Sequence, residues 1–251
     1  MTIFGGVLIY LSLIGAAAGF LSLLKPLRFL GIRSRKKGLV VLGLGLAGCA
    51  AGVYLPVWET RVETPRTRLD EFAPVYQFSE FHKVLIHAPR DRVYSAIRTV
   101  TPGEIRFYKT LMSMRRLSSG PADQPILKSF TTGWFLLLAE DPGREIVFGE
   151  AGDGRRKRSK TPEEFKALKQ APLIKIAANF RIEDVDATHC WLTTETRVYA
   201  AGTKAVRGFA TYWRMIYPGS SLIRRMWLRA IKLRAEAAGQ AGRLGSVALT
   251  R

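Results

Sequence analysis

The residues of this chain best suited to proton transfer and metal ligation near neutral pH are its three histidines, His82, His87 and His189. His82 and His87 fall on opposite sides of one alternating stretch and share no site there, and His189 sits at a turn. No histidine or carboxylate spacing of a metal site occurs, and Cys49 and Cys190 form no metal knuckle. No metal, no cofactor and no catalytic residue follows from these positions. Two acid–base pairs come closest: Glu195 with Arg197 on one face of a strand, and Arg181 with Glu183 on one face of its neighbour. Inside a cavity either pair would serve general acid–base chemistry. On an outer face each would be a rung of a charge ladder contributing only ~0.2–1 kcal/mol. Leu192, Val198, Phe180 and Ile182 occupy the other faces, which favours the ladder. No glycine-rich phosphate cradle or nucleophile elbow is present.

A second set of residues suits binding. Trp134, Leu136, Phe148, Phe180, Trp191, Phe209, Tyr212, Trp213 and Ile216 are candidates to line an apolar cavity for a membrane lipid or another hydrophobic small molecule. The same residues would also make a filled core. Arg155, Arg156, Lys157, Arg158, Arg224 and Arg225 are candidates for contact with anionic headgroups, where each basic residue contributes ~1 kcal/mol. Nucleic acid is not the expected partner, because the chain also reads as an integral membrane protein with its folded part outside.

That reading rests on the first 58 residues, which contain no acid. Thr2–Leu24 and Gly38–Trp58 are apolar runs long enough to cross a ~30 Å hydrocarbon core at ~1.5 Å per residue. A cleavable signal peptide fits poorly: no basic residue precedes the first run and no small-residue cleavage site precedes Lys25. Gly43, Ala47 and Ala51 are expected to let the two spans approach closely. The loop between them holds Lys25, Arg28, Arg33, Arg35, Lys36 and Lys37, against Arg61, Arg66 and Arg68 beyond the second span. The positive-inside bias then keeps the loop cytoplasmic and puts the remainder outside the cell (inner) membrane, with Tyr54 and Trp58 at the interface. The formal net charge of +19 is far more than that loop supplies, so the folded part is basic too.

Residues 59–80, interrupted by Pro65 and Pro74, read as a linker or arm. Phe81–Ala88 reads as a strand, Pro89–Thr99 as a helix opened by proline, and Gly103–Leu117 as a second short helix. Phe130–Glu140 and Glu145–Gly152 flank Asp141-Pro142-Gly143-Arg144 as a hairpin. Gly152–Pro162 is a basic loop, followed by a short helix capped at Thr161. Ile174–Val185 and His189–Ala200 form a second hairpin. The largest element is an amphipathic helix over Lys204–Glu236, its apolar stripe running from Val206 through Trp213 and Trp227 to Ile231, with a kink or break at Pro218-Gly219. Residues 239–251 read as a flexible tail.

The order strand, two helices, antiparallel strands, long helix is that of the helix-grip fold. HKVLIHAPRDRVYSAI, GWFLLLAEDPGREIVFG and IAANFRIEDVDATHCWLTTETRV with the following YWRMIYPGSSLIRRMWLRAIKLRAE resemble the START-like (SRPBCC) superfamily, which includes polyketide-cyclase and birch-pollen-allergen relatives. One departure is Ala151–Lys160, basic and polar where relatives continue a strand. The resemblance implies an α+β helix-grip domain over residues 81–238, behind a transmembrane hairpin over 1–58. It also implies binding or handling of a hydrophobic ligand. Because the superfamily hosts binders, transporters, cyclases and non-catalytic proteins, the alternatives are a cyclase-, aromatase- or hydrolase-type enzyme using the same cavity and a non-catalytic scaffold with a filled core. An enzyme here would need Glu195 to point inward.

Overall fold

The computed structural model describes residues 2–105, 123–133, 135–152, 158–169, 171 and 173–248, with side chains from 4 to 238. It divides into two compact units, one of Met1–Trp58 with Thr203–Pro218 and one of Glu59–Gly202 with Gly219–Arg251.

The first unit is built on two helices, α1 (Thr2–Leu24) and α2 (Arg35–Tyr54). Between them lies a 3-10 turn closed by Gly31 at φ 77, a left-handed position that suits glycine. Ser34 caps α2 by accepting from the Lys37 N–H. Both helices are long and apolar enough to cross a membrane, with mean hydropathies of 2.2 and 1.6. The residues that bring them together are not the expected ones. Gly43, Ala47 and Ala51 are exposed, and a Cβ placed on Gly43 would meet nothing within 4 Å. Gly38, Gly45 and Gly52 are buried instead. A Cβ on Gly45 would lie 2.5 Å from the Ala16 N, and one on Gly19 of the facing helix 2.4 Å from the Leu42 N. Gly43 precedes Gly45 by two residues, about 200° around a helix that turns ~100° per residue, so it faces away. The seven-residue glycine spacing holds one face against a partner, as in left-handed helix pairs. The start of the last helix, α7 (Thr203–Ala248), belongs to this unit as far as Pro218. The Arg214 guanidinium donates to Val53 O and Leu55 O at 2.7 Å each, satisfying carbonyls at the end of α2.

In the second unit, β1 (Thr60–Arg61), α3 (Arg68–Phe72), β2 (Val75–Tyr76) and β3 (Phe78–Ile86) come first. After them run α4 (Arg90–Thr99), α5 (Ile126–Gly133), β4 (Leu136–Asp141), β5 (Glu145–Gly152), α6 (Pro162–Ala167), β6 (Leu173–Asp184) and β7 (Cys190–Ala201). The main sheet has five antiparallel strands in the order β3-β7-β6-β5-β4, and β1 pairs with β2 separately. With α7 closing the chain this is the expected α+β helix-grip order. The two hairpins stand where their turns place them, with Gly143 at φ 76. Most of the expected Gly103–Leu117 helix lies outside the described residues, which show a 3-10 turn at Pro102–Glu104. Phe130–Gly133, expected as strand, is the end of α5, where Thr131 and Thr132 hydroxyls bond back to carbonyls of the preceding turn. The helix α7 runs through Pro218 without a break and continues to Ala248, past the expected frayed end. Proline there removes one N–H, freeing only the Arg214 carbonyl, while apolar contacts support the turns that follow.

Strand alternation gives the sheet two covered faces. On the inner face Ile86, Ile146, Phe148, Ala178, Phe180, Ile182 and Leu192 pack with α4, α5 and the later part of α7 through Ile223, Trp227 and Ile231. On the outer face Val147, Ala151, Leu173 and Ala177 pack with Leu69 and Phe72 of α3 and Phe165 of α6. Residues 59–80 are thus an integral cover of the sheet, where the sequence reads as an arm. Buried polar contacts hold α3 there. Glu145 on β5 accepts from the Arg68 and Leu69 N–H groups at 2.9 and 3.2 Å and from the Asn179 side chain at 2.7 Å. Asp70 accepts from the Arg66 and Thr67 N–H groups at 2.7 Å each and from Arg197 at 2.6 Å. Arg197, 7% exposed, also donates to Ala73 O and to both oxygens of Glu195, and lies over the Tyr76 ring. Glu195 and Arg197 do occupy the outer face, but as part of a buried network rather than a solvated ladder. Arg181 and Glu183, 3.2 Å apart and partly exposed, fit the ladder description.

Two outcomes follow. Burial by itself would raise the Asp70 pKa, but the N–H donors of Arg66 and Thr67 and the Arg197 guanidinium outweigh it and hold the carboxyl below its ordinary value. A carboxyl depressed in the folded state contributes stability that is complete above its unfolded pKa and lost as pH falls through the folded one. Asp70→Asn should cost about 3 kcal/mol at neutral pH, the low end for breaking a buried pair, and flatten the stability curve on the acid side. Denaturation midpoints measured from pH 7 to below 4 check this, and parallel curves for the two proteins would contradict it. In the first unit, Gly45→Ile should destabilise the helix pair by about 1–3 kcal/mol, as overpacking does, while Gly43→Ile leaves it unchanged. Thermal or SDS denaturation of the full chain separates the two variants.

Candidate functional site

The inner face of β3 and β7, against α7, carries a polar cluster inside an otherwise apolar interface. The alternation that puts Ile86 and Val84 inward continues back through His82 and Glu80 to Phe78, three residues beyond the expected start of the strand. Glu80 is 3% exposed, its Oε1 2.8 Å from His82 Nε2, and its Oε2 accepts from the Ser220 hydroxyl at 2.8 Å. Ser221 Oγ lies 3.4 Å from the same His82 Nε2. On β7, Thr194 donates to Asn179 O at 2.7 Å and accepts from Arg224 at 3.2 Å. Thr196, the register partner of Glu80 and Ala178, buries a hydroxyl with no hydrogen-bond partner among the described residues.

Serine, histidine and glutamate together invite comparison with a hydrolytic triad. The geometry refuses it. A triad imidazole uses one ring nitrogen for the carboxylate and the other for the hydroxyl, so that it can take the nucleophile's proton. Here both partners address Nε2. With Glu80 as a carboxylate, that nitrogen carries the proton it donates and cannot accept one from Ser221. The arrangement is a buried hydrogen-bonded cluster able to position a polar group.

Next to it lies an aromatic group. The Trp227 ring sits 4.9 Å from Phe180, 5.6 Å from Phe130 and 6.5 Å from Phe148, and Phe135 stacks on Phe130. Trp227 Nε1 is buried without a hydrogen-bond partner among the described residues. An aromatic surface with buried polar groups set along one side suits an amphiphile, whose tail and polar end need different surroundings.

Of the expected cavity residues, Phe148 and Phe180 take part in this group. Leu136 packs against the outer cluster, and Trp191, one residue out of step with inward Leu192, carries Lys83 over its ring at 4.7 Å. Phe209, Tyr212, Trp213 and Ile216 belong to the first unit, where Phe209 stacks on Trp213 with ring centroids 5.8 Å apart. Trp134 lies outside the described residues, as do Arg155, Arg156 and Lys157 of the basic loop. Arg158 is exposed and 3.9 Å from Glu150, Arg225 is exposed, and Arg224 turns inward to Thr194. Glu195 points to the outer face, so an acid–base pair with Arg197 inside the grip is ruled out by strand parity. The sequence reading misses Glu80, Thr194, Thr196, Ser220 and Ser221. The signal for Glu80 is the period-two pattern running back to Phe78.

No protein-family model and no curated protein matches the chain. Solved structures similar to it include the di-domain ARO/CYC BexL from the BE-7585A biosynthetic pathway, at 17% identity and a TM-score of 0.35. That match covers 63% of this chain and 46% of the other, so the chain spans about half of the di-domain protein. The Zhui aromatase/cyclase from Streptomyces sp. R1128 is 18% identical with a TM-score of 0.28, over 63% of this chain and 93% of that one. A hypothetical protein from Helicobacter pylori is 8% identical with a TM-score of 0.35, over 70% and 98%.

Thr196→Val removes a buried hydroxyl without a partner and keeps the shape of the side chain. It should leave stability unchanged or raise it by up to about 1 kcal/mol, because an unsatisfied buried group costs free energy. A urea titration of both proteins tests this, and a loss above that size would mean the hydroxyl is bonded after all.

Proposed function

We propose that this chain is a membrane-anchored helix-grip protein that binds a hydrophobic ligand with a polar end. The observation that carries the reading is the mixed inner surface. Phe130, Phe148, Phe180 and Trp227 offer an apolar wall, and Glu80, His82, Thr194, Thr196 and Arg224 set polar groups along its edge. The two apolar helices α1 and α2 would hold this unit at the bilayer, the source of such ligands. The basic loop between them and the positive-inside bias support a cytoplasmic loop and an extracytoplasmic sheet unit. Exposed Arg158 and Arg225 would then meet anionic headgroups, while Arg224 would serve the polar end of the ligand.

Full-length protein extracted from membranes should carry a co-purifying amphiphile detectable by mass spectrometry. Arg224→Met should lower its occupancy about tenfold, the equivalent of one lost hydrogen bond to a charged group. Purification without any bound amphiphile, together with no binding to a lipid panel, would end the proposal. Sidedness is tested separately with a membrane-impermeant maleimide on intact cells or spheroplasts. A cysteine at Glu183 should label and one at Leu30 should not. Native Cys190 stays silent, since burial and the neighbouring Asp184 push its thiol up to about 11.

A further inference from the structure

The outer face of the sheet, away from the grip, holds a cavity of about 450 Å³. That size lies within the usual ~300–1,000 Å³ range of ligand pockets. It opens because Ala177, small and outward on β6, follows Lys175 on the same face and leaves room beside Tyr199, the cross-strand partner of Lys175. Phe72 and Leu168 supply apolar walls.

The charges around it are out of balance. Lys166 is committed, 3.4 Å from Glu71 and over the Phe72 ring at 4.3 Å. Glu59 accepts from the Gln77 side chain at 3.2 Å. Lys175 is different: it donates to Lys166 O at 3.2 Å, stands 5.2 Å over the Phe165 ring and forms no ion pair among the described residues. Lys169 and Arg61, on the same lining, likewise form none there. Burial, and then the like charge of Lys169, press the Lys175 pKa down to about 8. A solvated surface lysine would swing away from such neighbours. Lys175 is half-buried, tethered to Lys166 O and the Phe165 ring with the like charge of Lys169 nearby, and an anion in the cavity would offset that repulsion.

We propose that this pocket binds a small amphipathic organic acid, its carboxylate or phosphate head held by Lys175, Lys169 and Arg61 and its tail laid on Phe72 and Leu168. The site is separate from the grip, since Lys175 and Ala177 point away from Phe180 and Trp227.

The test uses the purified full-length chain with hexanoate, hexyl phosphate and hexanol, followed by calorimetry and by competitive lysine acylation read by mass spectrometry. Lys175 should acylate ahead of the exposed lysines near pH 8, where its neutral fraction is large. One or both acids should suppress that reaction while hexanol does not. The acid that binds more tightly identifies the head group. Lys175→Gln should weaken acid binding about tenfold, as loss of a charge-assisted contact does. Ala177→Leu should fill the cavity and abolish binding, and if that variant fails to fold, Lys175→Gln decides alone. Hexanol binding as well as the acids, or unchanged acid affinity in Lys175→Gln, would overturn the proposal. Arg224→Met, which alters the grip, should leave acid binding here intact, so the two sites fail independently.

Discussion

A guanidinium that has left water must find all its partners in the protein, and Arg197 imposes that requirement on the sheet unit. Its donors are met by Asp70, Ala73 O and Glu195. Two of these partners, Asp70 and Ala73, lie in the segment that precedes the sheet, so β7 is electrostatically complete only when α3 is seated. Glu145 makes the same demand from β5, because its carboxylate is satisfied by the first N–H groups of α3 and by Asn179. The helix is only Arg68–Phe72, far too short to be stable alone. Carboxylates at its N-terminus and its own Thr67–Asp70 capping box fix it in place.

Seating α3 has consequences on both faces. Outside, Leu69 and Phe72 bury against Val147 and Ala177, and the gap left beyond Ala177 becomes the lysine-lined cavity. Inside, β3 is held to β7 along its whole length from Phe78 to Ile86, and the rigid pairing sets Glu80 opposite Thr196. A polar cluster on the grip face therefore depends on contacts made behind the sheet. Bonds across β7 link the two sides: Asn179 O accepts from inward Thr194, while the Asn179 side chain serves Glu145 and the Glu195 N–H outside.

Much of this was legible in the sequence where the signal is local and periodic. The second hairpin is read within a residue at each end, because Phe180 and Ile182 alternate cleanly with Arg181 and Glu183. The apolar stripe of α7 identifies Ile223, Trp227 and Ile231 as its buried side. Segment 59–80 was not legible, since its elements are a few residues long and exist by virtue of partners about 75 to 130 positions away. Thr131 and Thr132 have strand propensity, yet both are helical and their hydroxyls bond back to Leu127 O and Lys128 O, so the sequence reading takes the end of α5 for strand. In the first unit, small-residue spacing was the right idea applied to the wrong face. Every four-residue series in a glycine-rich helix looks equivalent until the partner helix selects one.

Helix α7 shows what sequence alone could not decide about the site. Its apolar residues form one stripe on paper, but Phe209 and Trp213 fall in the first compact unit and Trp227 and Ile231 in the second, with the division at Pro218. The expected cavity residues Phe209, Tyr212, Trp213 and Ile216 lie on the part of the stripe that precedes this division. The residues that follow the expected kink or break at Pro218-Gly219, Ser220 and Ser221, lie in a continuous helical turn whose hydroxyls reach Glu80 and His82. Proline without a break supplies the physical reason. The missing N–H ends one hydrogen bond but leaves the helix continuous, so the next turn presents its hydroxyls to the sheet at helical spacing. The polar cluster is thus set by a strand that extends back to Phe78, into the segment that reads as an arm, and by a helix carried through Pro218.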